Sequence, residues 1–157
     1  FNYIQGSEEA IVCYDEAIRL NPEGGIWLNK CNLLVAEGKD EDAIVCCDEA
    51  IRLDPKFSSA WYSKGNSLAS LERYEEAIVC YDEVIRLDIK FYYGWNNKGA
   101  SLANLERYED AIVCCDEAIR LDPQNPDAWG NKGITLKKFG RDEEAEQCFA
   151  KAKGLQN

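Results

Sequence analysis

Apolar residues along this chain fall into two alternating helical stripes. After Trp61 come Gly65, Leu68 and Leu71, one helical face at i, i+4, i+7 and i+10. After Ala77 come Ile78, Tyr81, Val84 and Ile85, a second helical face. Glu72-Arg73 breaks the two, and the same break reads Gly38-Lys39 and Gly140-Arg141 elsewhere. The second stripe stops at Leu-Asp-Pro or Leu-Asn-Pro (Pro22, Pro55, Pro123), because proline disfavours helical geometry in the residue before it. Asn125-Pro126-Asp127 then opens a new helix with a cap, a first-turn proline and a first-turn acid. The pattern predicts pairs of antiparallel helices.

The pairs recur at a fixed period. Trp27, Trp61, Trp95 and Trp129 are each 34 residues apart, and Lys30, Lys64, Lys98 and Lys132 follow in register. Gly65, Gly99 and Gly133 follow next, with Cys31 as the exception, then Leu34, Leu68, Leu102 and Leu136. Ala43, Ala77, Ala111 and Ala145 complete the frame. Residues 58–91 and 92–125 are identical at 21 of 34 positions, so the repeat is the unit of architecture. Two helices approach closely only where both present small side chains, and each Trp buries roughly 150–250 Å². The recurring Trp, Gly and Ala therefore read as core.

W-x-x-K-G-x-x-L, then E-R-Y-E-E-A-I, then Y-D-E-V-I-R-L-D closely resembles the tetratricopeptide repeat, over essentially the whole chain. The resemblance implies an all-α fold, a right-handed superhelical solenoid of antiparallel helix pairs. It divides a single domain into a partial repeat over 1–23 and repeats over 24–57, 58–91, 92–125 and 126–157. Lysine stands where an apolar residue is usual before the glycine, Cys31 replaces the first glycine and Ile89 replaces one proline. The first linker, Pro22 to Trp27, is one residue shorter than its counterparts, which leaves the packing of the first repeat open.

Charge narrows the function. A net charge of −11 and a pI near 4.5 argue against a surface that tracks phosphates, so RNA and DNA are not expected partners. No apolar run approaches the ~20 residues of a membrane helix. Acids crowd the start of the second helices (Glu75, Glu76; Glu109, Asp110) and an arginine sits near the end, matching the helix dipole. Asp15-Arg19, Asp48-Arg52, Asp82-Arg86 and Asp116-Arg120 are spaced as i, i+4 ion pairs of about 0.2–0.5 kcal/mol each. The Asp-Glu dipeptides thus read as a solvated face and not as catalytic dyads. There is no histidine, no CxxC pair and no glycine-rich phosphate loop, so neither enzyme activity, nor a metal, nor a cofactor is expected.

Of eight cysteines, Cys13, Cys46, Cys80, Cys114 and Cys148 occupy one repeated place. Equivalent places lie a repeat apart, beyond the ~7 Å between Cα atoms that a disulfide tolerates. The adjacent pairs Cys46-Cys47 and Cys114-Cys115 point about 100° apart on a helix. They read as small, reduced core residues of a cytoplasmic protein.

The ends carry their own expectations. The chain contains no methionine, so it reads as a segment of a longer protein, and no secretory signal is visible at Phe1–Gln5. Phe1 and Ile4 align with Leu68 and Leu71, which places the start inside the last turn of a first helix and a second helix near Ser7–Leu20. No polar capping helix follows the last pair, and solenoid ends normally need one. Association of copies through these terminal helices is the alternative function.

The leading function comes from a second stripe on each first helix, turned away from the Trp-Gly-Leu face. It takes the residues two before Trp and one, two, five and nine after it. These vary between repeats while the second helices are near-copies. In tetratricopeptide proteins this face lines the concave groove that holds ligands, so the resemblance implies a scaffold that binds an extended peptide or partner segment there. Asn29, Asn97 and Asn131 share one register, with Ser63 between them, and a side-chain amide can pair with a peptide N–H and C=O together. Asn32, Asn66 and Asn96 extend the polar stripe, and Tyr62 and Tyr93 supply anchors. The first-helix segments carry +4 in sum and the rest of the chain −15, with the lysine series expected at the groove edge. A polar or mildly acidic peptide fits this groove best.

Overall fold

The computed structural model describes residues 2–156, with side chains from residue 8 onward. Nine helices make up the described residues: α1 Asn2–Leu20, α2 Gly24–Ala36, α3 Asp40–Leu53, α4 Ser58–Ser70, α5 Tyr74–Leu87, α6 Tyr92–Asn104, α7 Tyr108–Leu121, α8 Pro126–Lys138 and α9 Asp142–Leu155. The fold class is all-α, built of consecutive helix pairs. They group into two compact units, one ending at Arg73 and one beginning at Tyr74.

In the first unit α1 and α3 flank α2, and α4 packs on α3 and α2. Its core joins Cys31, Leu34, Ala43, Cys46 and Cys47, with Ile11 and Trp27 packed against it. Leu28, Ala50 and Ala60 continue it toward Phe57. In the second unit α5 to α9 each pack on the next, and α6 also touches α8. Its core runs from Ile78, Leu102, Ala111 and Cys114 around Trp95 to Leu136, Ala145 and Cys148 around Trp129.

Every turn from a first to a second helix has one geometry. The second residue past the first helix is left-handed: Gly38 (φ 70°), Glu72 (φ 59°), Glu106 (φ 60°) and Gly140 (φ 84°). Lys39, Arg73, Arg107 and Arg141 then donate backbone N–H to Leu34, Leu68, Leu102 and Leu136 at 2.9–3.0 Å, and the left-handed residue donates three back. This paired pattern satisfies carbonyls that a helix end leaves open. At the opposite connection Asn125 caps α8 as expected, its Oδ1 accepting from the Asp127 N–H at 3.0 Å.

Three linkers seat an indole. Trp61, Trp95 and Trp129 donate Nε1–H to the carbonyls of Pro55, Ile89 and Pro123, six residues earlier, at 2.9–3.1 Å. Trp27 sits behind the shorter linker, and its buried Nε1 meets no acceptor. The missing residue therefore removes a hydrogen bond.

Three sequence expectations need correction here. Helix α1 runs from Asn2 without the expected break before Ser7; a helical glycine such as Gly6 costs only about 1 kcal/mol, too little to end a helix by itself. Phe1 and the Ile4 side chain lie outside the described residues. Arg19, Arg52, Arg86 and Arg120 pair with Glu16, Glu49, Glu83 and Glu117 at i, i+3, not with the aspartates. The aspartates are taken by lysines, as described below. Finally, Cys31 and Cys47 are bonded, with Cα atoms 5.7 Å apart. Cys31 occupies the glycine register, where first and second helices come closest. At the equivalent Gly99 an added Cβ would lie 3.1 Å from Cys115 Sγ, so a sulfur at position 31 necessarily meets the residue opposite.

Candidate functional site

The first helices carry the predicted site residues, and the registers sort them by depth. One residue after Trp the side chain turns inward: Leu28 is buried, Tyr62 half-buried and Asn96 only 6% exposed. Two after Trp, Asn29 is exposed while Ser63, Asn97 and Asn131 are half-buried. Asn32 is exposed and Asn66 half-buried in the next register, and Tyr93 stands 49% exposed at the start of α6.

Within the first unit, Ser63 Oγ on α4 donates to Asn32 Oδ1 on α2 at 2.8 Å. Within the second, Asn131 Nδ2 on α8 donates to Asn96 Oδ1 on α6 at 2.9 Å. Asn96 Nδ2 in turn donates to Asn97 Oδ1 at 3.3 Å. Three amides are thus joined in one chain across two adjacent first helices. Asn96, expected to face a ligand, is the buried centre that holds Asn97 and Asn131 in place. Asn131 keeps its Oδ1 and its second amide hydrogen for other partners. At the end of the same helices Lys138 Nζ reaches Asn104 Oδ1 at 3.5 Å.

Aromatic packing sets Tyr93. Its ring meets Tyr92 edge-on at 5.0 Å and Phe91 at 5.8 Å between centroids. Tyr92 is buried against Ala118 and Ala128, and burial raises its hydroxyl well above the ordinary value, so it stays neutral. Tyr93 is therefore a half-exposed ring at the start of α6, packed against two aromatic neighbours.

The lysine series takes a different place from the one expected. Lys30, Lys64, Lys98 and Lys132 reach Asp15, Asp48, Asp82 and Asp116 on the preceding second helices at 2.5–2.6 Å. The first three ammonium groups also lie 5.9–6.0 Å from the Trp ring of their own helix. Each lysine is spent on stitching a repeat to its predecessor and does not reach the amide face. Apart from Asp127 and Lys138 at the two ends of α8, what remains on that face is neutral and hydrogen-bonding. Among the described residues no group of three or more His, Cys, Asp or Glu converges as metal ligands would, and no helix is long and apolar enough to cross a membrane.

Tetratricopeptide-repeat models match residues 58–91 and 92–125, and a further one matches 114–147. The chain is a tetratricopeptide-repeat protein. Residues 40–71 also match the protein prenyltransferase alpha subunit repeat, a likeness of the repeat only. A crystal structure of MamA superposes with a TM-score of 0.90 at 20% identity, covering 99% of this chain and 91% of that one. MamA 41-end from Desulfovibrio magneticus RS-1 gives 0.89 at 21% identity over 96% and 85%. MamA MSR-1 C2 gives 0.81 at 19% identity over 98% and 89%. At these identities the likeness shows the fold alone. No curated protein matches the sequence. Tetratricopeptide repeats serve as protein-interaction scaffolds, a fold that is typically non-enzymatic, and this repeat protein is a scaffold of that kind.

Proposed function

We propose that this repeat protein holds an extended, polar or mildly acidic peptide along its first helices, with side-chain amides pairing to the peptide backbone. The observation that carries the reading is the amide chain Asn131–Asn96–Asn97, joined across α6 and α8, with the half-exposed ring of Tyr93 at the start of α6. A buried Asn96 that spends its carbonyl on Asn131 pre-orients the half-buried pair and lowers the ordering cost of binding. The face carries one lysine, Lys138, too few to track a phosphate backbone, so we take the partner to be a protein segment. The unpaired buried thiols Cys46, Cys114, Cys115 and Cys148 support a reducing, cytoplasmic setting, with the Cys31–Cys47 bond as the exception.

Selection of peptides from a random display library against the folded protein supplies the ligand, and titration calorimetry supplies its affinity. Asn97→Ala with Asn131→Ala removes two amide contacts, each worth about 0.5–1.5 kcal/mol, and is expected to weaken binding about tenfold or more. Far-UV circular dichroism should stay unchanged. Unaltered affinity in the double variant would sink the reading.

A further inference from the structure

One set of apolar residues has no role in the core or on the amide face. Val12, Val45, Val79 and Val113 share one register of the second helices and are 67%, 62%, 60% and 65% exposed. The fold does not require an apolar residue there, because Gln147 fills the same register in the last helix and is exposed.

Beside two of these valines lies a cleft. In the second unit it has a volume of about 360 Å³, with Trp95 and Leu102 as floor and Ile78, Val113 and Cys114 as walls. In the first unit a cleft of about 510 Å³ is built from the same registers, including Ile11, Trp27, Val45 and Cys46. Each separates two second helices over the tryptophan of the first helix between them. The two cations at each rim are already neutralised: Lys98 by Asp82 and Arg107 by Asp110 in one, Lys30 by Asp15 and Lys39 by Glu37 in the other. Further carboxylates stand one turn before the wall residues, Glu75 before Ile78 and Glu109 before Val113, and likewise Glu8 before Ile11 and Glu41 before Val45. Each cleft thus has an apolar floor under a rim of paired charges, and the surplus carboxylates lie one turn away along the same helices.

We infer that these second-helix clefts are a docking surface, separate from the amide face, for a cationic amphipathic segment of a partner protein. Its aliphatic side chains enter the clefts against valine and tryptophan, and its Lys or Arg residues lie over the surplus carboxylates. Charge selects this occupant. A second copy of the chain would bring −11 against an acidic surface and is repelled, and nucleic acid is repelled for the same reason. A purely polar basic tail would leave the valines in water. An amphipathic helix with basic flanks satisfies both features.

The test uses a labelled, short Leu/Lys peptide of amphipathic helical pattern, followed by fluorescence anisotropy. The comparison peptides are a scramble of identical composition and the same pattern with Glu for Lys. The protein variant is Val45→Gln with Val113→Gln, which keeps every charge and installs the residue the last repeat already uses. The amphipathic cationic peptide is expected to bind, the Glu version not to bind, and the variant to bind roughly tenfold more weakly with an unchanged circular dichroism spectrum. Glu75→Gln with Glu109→Gln should also weaken binding and flatten its dependence on salt. Asn97→Ala with Asn131→Ala should leave it unchanged. Absence of binding, equal binding of the scramble, or equal affinity in the valine variant would each overturn the assignment, the last two by showing charge attraction alone.

Discussion

Replacing Glu72 and Glu106 together by glycine should make the protein more stable, although both residues are charged, exposed and on the surface. Both are held left-handed, at φ 59° and 60°, in turns where the other repeats place Gly38 and Gly140. A left-handed conformation costs an L-residue about 1–2 kcal/mol. Glycine removes that strain but gains freedom in the unfolded chain, which takes back about 0.4–1 kcal/mol. The net gain is about 0.5–1 kcal/mol at each site. Both side chains are solvent-exposed, so little packing is lost with them.

The reverse pair, Gly38→Ala with Gly140→Ala, isolates the backbone contribution, since no heavy atom lies within 4 Å of either added Cβ. It should lose about 0.5–1 kcal/mol per site by the same balance with its sign reversed. Urea unfolding followed by far-UV circular dichroism and by tryptophan fluorescence reads both pairs. In heat, each kcal/mol should move the midpoint about 2–4 °C for a chain of this size. A repeat array sums local and interface energies, so the glycine pair should shift the midpoint without needing a single cooperative transition. A destabilised glycine pair, or a neutral alanine pair, would refute the reasoning.

Three further outcomes follow from particular contacts. Inserting one residue between Pro22 and Glu23 restores the six-residue reach to Trp27, and the new indole hydrogen bond should add about 0.5–1.5 kcal/mol, seen as slower exchange of the Trp27 Nε1 proton. Gly99→Cys places a Cβ 3.1 Å from Cys115 Sγ in the register of the bonded Cys31 and Cys47, so non-reducing peptide mapping after mild oxidation should recover that cross-link; two free thiols would count against it. Burial pushes the thiols of Cys114 and Cys115 up to about 11 and about 12, above the ordinary value near 8.5. The native state then keeps protons that the unfolded chain releases, so stability is full below about pH 8.5 and is lost as pH rises toward 12. Cys114→Ala with Cys115→Ala should lessen that alkaline decline in urea midpoints.

The helix pairs were legible because the same apolar spacing occurs four times, and repetition averages away local ambiguity. Pairings between repeats were not. The i, i+4 spacing makes Asp82 and Arg86 look like partners, yet Asp82 goes to Lys98 and Arg86 to Glu83. Only knowledge that a first helix lies beside the previous second helix favours the longer-range pair. Cys31–Cys47 was hidden for a similar reason, since the two cysteines are neither register-equivalent nor adjacent. The signal was available in the substitution itself: a residue replacing glycine at the closest approach of two helices must touch whatever stands opposite. The depth of Asn96 was not legible because its register holds Leu28, Tyr62 and Gly130 elsewhere, and only the neighbouring helix supplies the Asn131 amide that pairs with it.

The two faces of the repeat also differ in what variation can tell. On the first helices the residues change from repeat to repeat, so any partner there meets a different set of groups at each step, and selectivity accumulates along the peptide. On the second helices valine, cysteine, aspartate and arginine recur nearly unchanged, so each cleft presents the same walls to a partner. Removing one cleft from such a surface should weaken binding by a proportion, whereas removing a side-chain anchor such as Tyr93 from the first-helix face should change which peptide is preferred. Val113→Gln alone and Tyr93→Ala alone therefore predict different results in one competition experiment. The first lowers the affinity of every cationic amphipathic peptide by a similar factor, and the second reorders the ranking of selected peptides. A common factor in both would mean that the conserved and the variable registers do not divide the work of recognition between them.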